Sequence, residues 1–245
     1  MELTETILQY DACAENGGDV SVIVVAAGNS SRMGGTSKQL LSIGGIPVLA
    51  RTLLTFERTK CVKNIVIVAR ECDILSFQLL VDKYMIGKVT DIVCGGSCRE
   101  ESVKNGILSL SPDTEYVLIH DGARPFVTPE IITKVADATK AHGAAACGVA
   151  VKDTLKLVKD GKIEKTIDRS TVFSIQTPQG FNFSEFRYAI TNAKDLSIFT
   201  DDCAVIESVG KTVYTVEGSY NNIKITTAED IALAEGIISL GGEQL

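Results

Sequence analysis

The chain has 245 residues, which is enough for one sizeable α/β domain with a large buried core. Its 31 acidic residues outnumber its 24 basic ones, and the net charge of −7 argues against a nucleic-acid-binding surface. No apolar run approaches the roughly 20 residues that cross a bilayer, so we expect no membrane association.

Residues 1–19 are polar and acidic and lack the basic and apolar regions of a signal peptide, so they are predicted to form an N-terminal extension. One domain is predicted over residues 20–245. Strand-like and helix-like segments then alternate, which favours a parallel sheet with helices on both faces. Strands are predicted at residues 22–26, 64–69, 91–94, 116–119 and 144–151. Helices are predicted after Pro47, at 73–83, from about Arg99, and from Thr128 to about His142.

The alternation is interrupted at about residues 152–172. Segments 154–158 and 163–167 flank Asp160-Gly161, a strong signal for a hairpin turn. We therefore predict a β-hairpin arm that projects from the main sheet. Further helices are predicted near 184–192 and at 200–209, strands at 212–216 and 223–226, and a last helix is predicted to begin after Thr227.

The segment after the first predicted strand is suited to a polyphosphate. The small residues Ala26, Ala27 and Gly28 are followed by the cations Arg32 and Lys38. A flexible turn, free backbone N–H groups and positive charge occur together there. The spacing of the glycines matches neither the Walker A pattern nor the dinucleotide fingerprint. The two cations favour a nucleotide over a plain tight connection.

Unusual residues also follow later predicted strands. Gly95-Gly96 comes after the third strand, and the segment from His120 to Pro125 comes after the fourth. The carboxyl ends of parallel strands line the ligand crevice, so these segments are expected to meet the first loop. Asp121 is the best metal candidate, since Mg²⁺ uses one or two carboxylates with phosphate oxygens; a plain Asp-Gly turn is the alternative.

Other polar residues are ambiguous by themselves. Arg124 would offset the Asp121 carboxylate or contact phosphate. His120 is interpreted as structural, because no nucleophile accompanies it. Lys224 in a β-branched segment suits an edge strand, Arg169 follows the hairpin, and Thr200-Asp201-Asp202 requires nothing beyond a helix cap.

The seven cysteines favour reduced thiols in a cytoplasmic protein. Their number is odd, and no Cys-x-x-Cys pair occurs. Cys94 and Cys98 are the nearest pair, but no second ligand pair follows them, so a zinc site is disfavoured.

Several motifs occur together in the order of a known family. They are Ala26-Ala27-Gly28 with Arg32-Met33-Gly34 and Lys38, Gly95-Gly96 with Arg99 and Ser102, residues 120–125, Asp153-Thr154-Leu155-Lys156, Asp168-Arg169, residues 176–179, Thr200-Asp201-Asp202 and residues 222–226. From about Ser21 to the last helix, the chain resembles the 2-C-methyl-D-erythritol 4-phosphate cytidylyltransferases of the non-mevalonate isoprenoid pathway.

The resemblance implies a Rossmann-like nucleotidyltransferase fold, a homodimer with arm exchange, and a reaction that depends on Mg²⁺ or another divalent cation. CTP and methylerythritol phosphate would give the CDP-linked alcohol and pyrophosphate. It also implies that Arg32 and Lys38 hold the triphosphate. Lys224 would support the α-phosphate and the incoming phosphate, and Asp121 would bind the metal.

The resemblance assigns the remaining site residues to the two substrates. Gly95, Gly96 and Ser102 would lie near the cytosine. Thr154 and Arg169, from the arm of the second subunit, would bind methylerythritol phosphate with Thr200 nearby. One departure is Ser30, where many members have glycine.

Three rival functions are disfavoured. Ribitol-5-phosphate cytidylyltransferases typically have Ala-Val in place of Gly122-Ala123 and lack a lysine matching Lys156. A catalytically dead nucleotide-binding regulator would usually have lost a phosphate-binding cation. A dinucleotide-dependent oxidoreductase would need the missing glycine fingerprint.

Overall fold

The computed structural model describes residues 18–28 and 38–241, with a seven-stranded sheet at the centre. The strands are β1 (Val20–Val25), β4 (Val62–Ala69), β5 (Val89–Cys94), β6 (Tyr116–Asp121), β7 (Ala144–Ala150), β10 (Phe173–Asn182) and β11 (Tyr214–Glu217). Their order is β11-β7-β10-β6-β1-β4-β5. Only β10 runs antiparallel to its neighbours in this sheet. The predicted α/β fold with a mostly parallel sheet is therefore confirmed.

Helices cover both faces of the sheet. They are α1 (Val48–Arg58), α2 (Ile74–Lys83), α3 (Arg99–Ser109), α4 (Pro129–His142), α5 (Phe183–Asn192), α6 (Asp202–Glu207) and α7 (Ala228–Ser239). Two small antiparallel sheets lie outside the central sheet in the described residues: β2 (Ser42–Ile43) with β3 (Ile46–Pro47), and β8 (Lys156–Lys159) with β9 (Lys162–Thr166). Within the described ranges, no helix combines the length and apolar character needed to cross a bilayer.

The β-branched run of β1 is explained by burial on both sides. Val22 and Val24 belong to a core cluster with residues of α1, α2 and α4. Ile23, between them, belongs to a second cluster with residues of α3, α5 and α6. Because successive side chains of a strand point to opposite faces, a central strand between two helical layers must be apolar throughout.

Local capping signals determine where the longer helices begin. The Thr128 hydroxyl accepts a hydrogen bond from the Ile131 N–H at 3.3 Å, as expected for an N-cap. Gly143, with a φ of 86°, ends the same helix. At the start of α7, the Asp230 carboxylate accepts from the Thr227 N–H at 2.8 Å. These starts agree with the sequence predictions.

The predicted hairpin is present as β8 and β9. Asp160 and Gly161 have φ values of 48° and 75°, which is the left-handed pair required by a type I′ turn. All residues of both strands are exposed. Its use as an arm between subunits stays a prediction, as do the domain limits; residues 1–17 lie outside the described part of the chain.

The predicted strand at 223–226 is wrong. This segment is not part of a sheet, although the Ile225 N–H donates to the Ala123 carbonyl at 2.8 Å. Ile223 and Ile225 instead pack in a small cluster with Val48 and residues of α7. The alternation of apolar residues therefore reflects side-chain burial without strand pairing.

Strand β10 was not predicted from the sequence. Polar residues and a proline occupy its middle, and proline cannot donate a hydrogen bond to a neighbouring strand. The structure accommodates them with a register shift between Ile175 and Gln179 and a cis Thr177–Pro178 bond. Helix α6 also begins later than the predicted residue 200, because Asp201 is its N-cap and accepts from the Ala204 N–H, and it ends at Glu207 rather than at 209.

Two helical glycines should respond oppositely to alanine substitution. A Cβ at Gly106 would lie 2.8 Å from a methyl carbon of Ile23 and 3.0 Å from one of Val68, whereas nothing lies within 4 Å of a Cβ at Gly236. We expect Gly106→Ala to destabilise by about 1–3 kcal/mol through overpacking. The control Gly236→Ala should stabilise by about 1 kcal/mol, through helix propensity. Urea unfolding measures both, and a Gly106→Ala protein as stable as the parent would contradict this close packing.

Candidate active site

A cavity of about 510 Å³ opens at the carboxyl ends of β1, β4, β5 and β6. Its volume lies in the usual range for small-molecule sites. Eight of the predicted site residues line it: Ala27, Gly28, Lys38, Gly95, Gly96, Ser102, Asp121 and Lys224. The predicted convergence of loops at this edge of the sheet is therefore observed.

The Asp121 carboxylate at the cavity wall is surrounded by three cationic side chains. Its Oδ2 atom lies 2.9 Å from Lys224 Nζ and 3.2 Å from Arg124 Nε, and its Oδ1 atom lies 3.7 Å from Arg99 Nε. Burial alone would raise the pKa of this carboxyl, but Lys224, Arg99 and Arg124 together hold the pKa well below its ordinary value. Asp121 is thus a buried carboxylate that stays ionised.

Arg124 connects two segments that are distant in sequence. Besides its contact with Asp121, it donates from Nη1 to the Asn222 carbonyl at 2.8 Å. The fully buried Asn222 side chain donates in turn to the Thr177 carbonyl at 2.9 Å. These bonds fix the segment that carries Lys224 against the end of β6. The ambiguous lysine of the sequence therefore lies at the cavity, where it contacts Asp121.

The loop after β5 packs closely against the loop after β1. A Cβ at Gly95 would lie 2.5 Å from the Ala27 Cβ and 2.8 Å from Ser102 Oγ, so a larger residue would separate the two loops. The Ser102 hydroxyl donates to the Cys98 carbonyl at 2.9 Å and accepts from the Gly96 N–H at 3.1 Å. Ser102 thus shapes this loop through hydrogen bonds within the chain.

The first loop is described only in part. Ala26 is buried and continues the pairing with β4, since its N–H donates to the Val68 carbonyl at 2.8 Å. Ala27 and Gly28 line the cavity, and Lys38 returns to it at the start of a short 3₁₀ turn. Arg32 and Ser30 lie outside the described residues, so the predicted role of Arg32 stays a prediction.

Five of the described site residues do not line this cavity: Ala26 and Arg124 adjoin its lining residues Ala27 and Asp121, and the other three lie elsewhere. Thr154 and Thr200 are exposed. Arg169 donates from Nη1 to the Lys152 carbonyl at 2.6 Å and lines a second cavity, of about 490 Å³, at the base of the hairpin. One chain alone does not bring Thr154 and Arg169 to the Asp121 cavity, and their assignment to a partner's site stays a prediction.

His120 has a structural environment. It is fully buried, and its two ring nitrogens lie 3.2 Å from the Arg124 carbonyl and 3.1 Å from Thr177 Oγ1. Burial lowers its pKa to about 3, so the imidazole is neutral. The Thr177 hydroxyl also accepts from the Asp121 N–H at 3.0 Å. His120 therefore orders the loop beside Asp121, as the sequence interpretation held.

Sequence reasoning missed two arginines and one acid. Arg70 lines the cavity and is paired with Asp73 at 2.6 Å; its position directly after β4 was the available signal. The interpretation of Asp202 as only a first-turn acid is wrong, because it is fully buried and binds Arg99 through both oxygens, at 3.0 and 2.6 Å. Arg99 was noted as part of a motif, without a role.

A family model described as 2-C-methyl-D-erythritol 4-phosphate cytidylyltransferase matches residues 20–240. The chain belongs to this family. Relatives of that name include those of Clostridium botulinum, 46% identical over 221 residues, and Bacillus cereus, 44% identical over 220 residues. Each alignment covers 89% of this chain and 96% or 97% of the relative, respectively.

The solved structures agree with this cytidylyltransferase assignment. The 4-diphosphocytidyl-2C-methyl-D-erythritol synthase of Anaerococcus prevotii superposes with a TM-score of 0.82 at 33% identity, covering 91% of this chain and 97% of that one. The resemblance stated from the motifs is therefore confirmed, and ribitol-5-phosphate cytidylyltransferase is not favoured. In this cytidylyltransferase, the cavity around Asp121 is the candidate nucleotide site.

Proposed function

We propose that this cavity is where CTP reacts with 2-C-methyl-D-erythritol 4-phosphate. A phosphate oxygen of the second substrate attacks the α-phosphorus of CTP and forms a new P–O bond. The bond between the α-phosphorus and the bridging oxygen to the β-phosphorus breaks, and pyrophosphate leaves with that electron pair. The products are 4-diphosphocytidyl-2-C-methyl-D-erythritol and pyrophosphate.

One observation carries this proposal: Lys38, Lys224 and Asp121 line the same cavity as the Gly95-Gly96 loop. The cavity lining thus combines fixed positive charge with a closely packed glycine loop. A nucleoside triphosphate has the complementary form, with a polyanion at one end and a flat base at the other. We assign the lysines to the phosphates and the loop of Gly95, Gly96 and Ser102 to the cytosine.

The residues suit a reaction without a general base. The attacking phosphate oxygen is anionic near neutral pH, so no proton must be removed from it. The barrier lies in bringing two anions together and in the charge that develops on the leaving pyrophosphate. Lys38 and Lys224 supply fixed charge for both. His120 is neutral and hydrogen-bonded within the loop, so we assign it no proton transfer.

The donors present fit a divalent cation such as Mg²⁺. Asp121 supplies one ionised carboxylate at the cavity wall, and Mg²⁺ commonly takes one or two carboxylates with phosphate oxygens and waters. When bound, the cation would supply charge to the phosphate oxygens. Oδ2 of Asp121 is already within hydrogen-bond distance of Lys224 and Arg124, so we assign Oδ1 to the cation.

The assembly and location are parts of the same proposal. A homodimer in which each arm supplies Thr154 and Arg169 to its partner's site would bring the second substrate to the cavity. Its support is the exposed hairpin and the second cavity at its base, which Arg169 lines. A reducing cytoplasm suits the cysteines, of which the structure describes six as free thiols.

The direct test is pyrophosphate release with CTP and Mg²⁺. Methylerythritol phosphate and ribitol 5-phosphate are offered in parallel at equal concentrations. We expect turnover with methylerythritol phosphate and little with ribitol phosphate. Preference for ribitol phosphate would show that the chain acts on the rival substrate. No turnover with either substrate would overturn the proposed activity.

Asp121→Asn tests the metal assignment. The substitution keeps the shape of the side chain and removes its charge, so we expect a higher Mg²⁺ requirement and a rate about tenfold lower or more. Asp82→Asn, at an exposed position of α2, is the matched control. Unfolding is measured in parallel to separate lost folding from lost metal. If the Mg²⁺ titration of Asp121→Asn overlays the parent, Asp121 is only a turn residue.

A further inference from the structure

We propose that Asp202 is a positioning residue, which holds the Arg99 guanidinium away from Oδ1 of Asp121 and so keeps that oxygen available to a divalent cation. The inference rests on the proposed function, because it concerns the cation assigned to Asp121. It gives Asp202 and Arg99 a role that the identity of the substrates does not imply.

The contact between Asp202 and Arg99 is a buried two-point ion pair. Asp202 Oδ1 lies 3.0 Å from Nη1 and Oδ2 lies 2.6 Å from Nη2, and the Asp202 side chain is fully buried. Two parallel hydrogen bonds fix both the position and the plane of a guanidinium. Desolvation lowers the pKa of Arg99, but the charge and hydrogen bonds of Asp202 raise it by more than that. The pKa therefore lies above its ordinary value, and the guanidinium stays charged.

The pair leaves one edge of Arg99 facing Asp121. Arg99 Nε approaches Asp121 Oδ1 at 3.7 Å, which is longer than a hydrogen bond. On the other oxygen, Oδ2, Lys224 Nζ and Arg124 Nε lie at 2.9 and 3.2 Å. The two oxygens of one carboxylate therefore differ: Oδ2 is engaged by two cations, and Oδ1 has a third cation beside it that is held back.

A carboxylate at position 202 is needed for this arrangement. An asparagine there would present an amide N–H₂ to one of the Arg99 nitrogens, so one of the two hydrogen bonds would become a contact between donors. The guanidinium would also lose the charge of its two-point partner, which leaves Glu100 Oε1 at 4.0 Å and Asp121 Oδ1 at 3.7 Å as the carboxylate oxygens beside it. Of these, Asp121 is the nearer, and a small movement of Arg99 would shorten the 3.7 Å contact with Oδ1 to a hydrogen bond. That hydrogen bond would compete with a cation for the same oxygen.

A purely structural role is the alternative. The ion pair also joins α3 to α6, whose contact residues lie 103 positions apart, so it contributes to the packing of two helices. A structural role alone would change stability and leave the cation dependence of nucleotide binding unchanged. The two roles therefore differ in a quantity that can be measured without turnover.

The experiment measures CTP binding by calorimetry in the absence of the second substrate, over a series of Mg²⁺ concentrations. We expect Asp202→Asn to raise the Mg²⁺ concentration that gives half of the maximal CTP affinity by about fivefold or more. Asp201→Asn is the matched control. It removes the same charge at the neighbouring residue and the hydrogen bond that Oδ2 accepts from Gln179 Nε2, and it keeps an oxygen for the Ala204 N–H, because asparagine is as good an N-cap as aspartate. Its Mg²⁺ dependence should overlay the parent.

The double variant Asp202→Asn with Arg99→Gln tests the same role if the single variant folds poorly. It replaces the ion pair with two amides and removes the competing guanidinium, so its Mg²⁺ requirement should return to the parent's level or below. Two results would overturn the proposal: an Asp202→Asn titration that overlays Asp201→Asn, or a double variant whose Mg²⁺ requirement exceeds that of the parent.

The same series separates this inference from the proposed function. If the parent binds no CTP, the proposed function fails. If the parent binds CTP but Asp121→Asn leaves the Mg²⁺ dependence unchanged, the metal assignment fails, and the inference with it. If Asp121→Asn alters that dependence while Asp202→Asn does not, only the role of Asp202 fails.

Discussion

Lys38→Ala is expected to lower turnover by about a hundredfold or more, because a fixed charge lost at a transition state commonly costs a few kcal/mol. Lys38 lines the cavity that contains Lys224 and Asp121, so its charge acts directly on the assigned phosphate position. The same loss is expected for Arg32→Ala, which tests the part of the first loop outside the described residues. Steady-state pyrophosphate release at saturating CTP and Mg²⁺ is the measurement.

Lys134→Ala provides the control for Lys38→Ala. Lys134 is an exposed lysine of α4 and does not line the cavity, so the variant loses the same charge elsewhere. Its turnover should equal the parent's. Near-normal turnover in both Lys38→Ala and Arg32→Ala would show that the loop after β1 does not hold the triphosphate.

Mixing two inactive variants, Lys38→Ala and Arg169→Ala, is expected to restore about a quarter of the parent activity if arms are exchanged in a homodimer. In the mixed dimer, one site carries both lesions, and the other has an intact Lys38 and an intact Arg169. Random pairing makes about half of all dimers mixed, and half of their sites work. The measurement is turnover after subunit exchange has been verified by mass.

A second mixture controls for non-specific stabilisation. Lys38 and Lys224 line one cavity of one chain. In a shared site, both lysines therefore come from the same subunit, and the partner's arm replaces neither. Each site of their mixed dimer lacks one lysine, and no activity should return. Equal recovery in both mixtures, or none in the first despite exchange, would mean that Arg169 does not act across a subunit boundary.

Local signals made most of the fold predictable. The β-branched runs, the Thr128 cap and the Asp160-Gly161 turn each act within a few residues, and the structure has the corresponding strand, helix and hairpin. Strand β10 could not be predicted in this way. Its polar middle and Pro178 are unfavourable for a strand, and its pairing depends on β6 and β7 around it.

Part of the candidate site was predictable because its residues follow the carboxyl ends of strands. Asp121 ends the buried strand β6 and Gly95 directly follows β5, and the carboxyl ends of parallel strands meet at one edge of the sheet. Asp202 was not predictable, because its partner Arg99 lies 103 residues away and nothing local distinguishes it from a first-turn acid. Lys224 was ambiguous for the same reason: its significance comes from a contact with Asp121 that only the folded chain makes.

The contact between Lys224 and Asp121 also determines whether the lysine side chain loses its conformational entropy on folding or on ligand binding. The Lys224 side chain is 38% exposed, and a lysine at such a position would otherwise sample many rotamers. Immobilising such a side chain at a binding step costs about 0.5–1.5 kcal/mol, but here much of that loss occurs when the chain folds. Its ammonium has three donors, so it can bind phosphate while one donor remains on Asp121. In the proposed site, the nucleotide would therefore meet a lysine that is already in place, and more of the contact energy would remain available to hold the triphosphate.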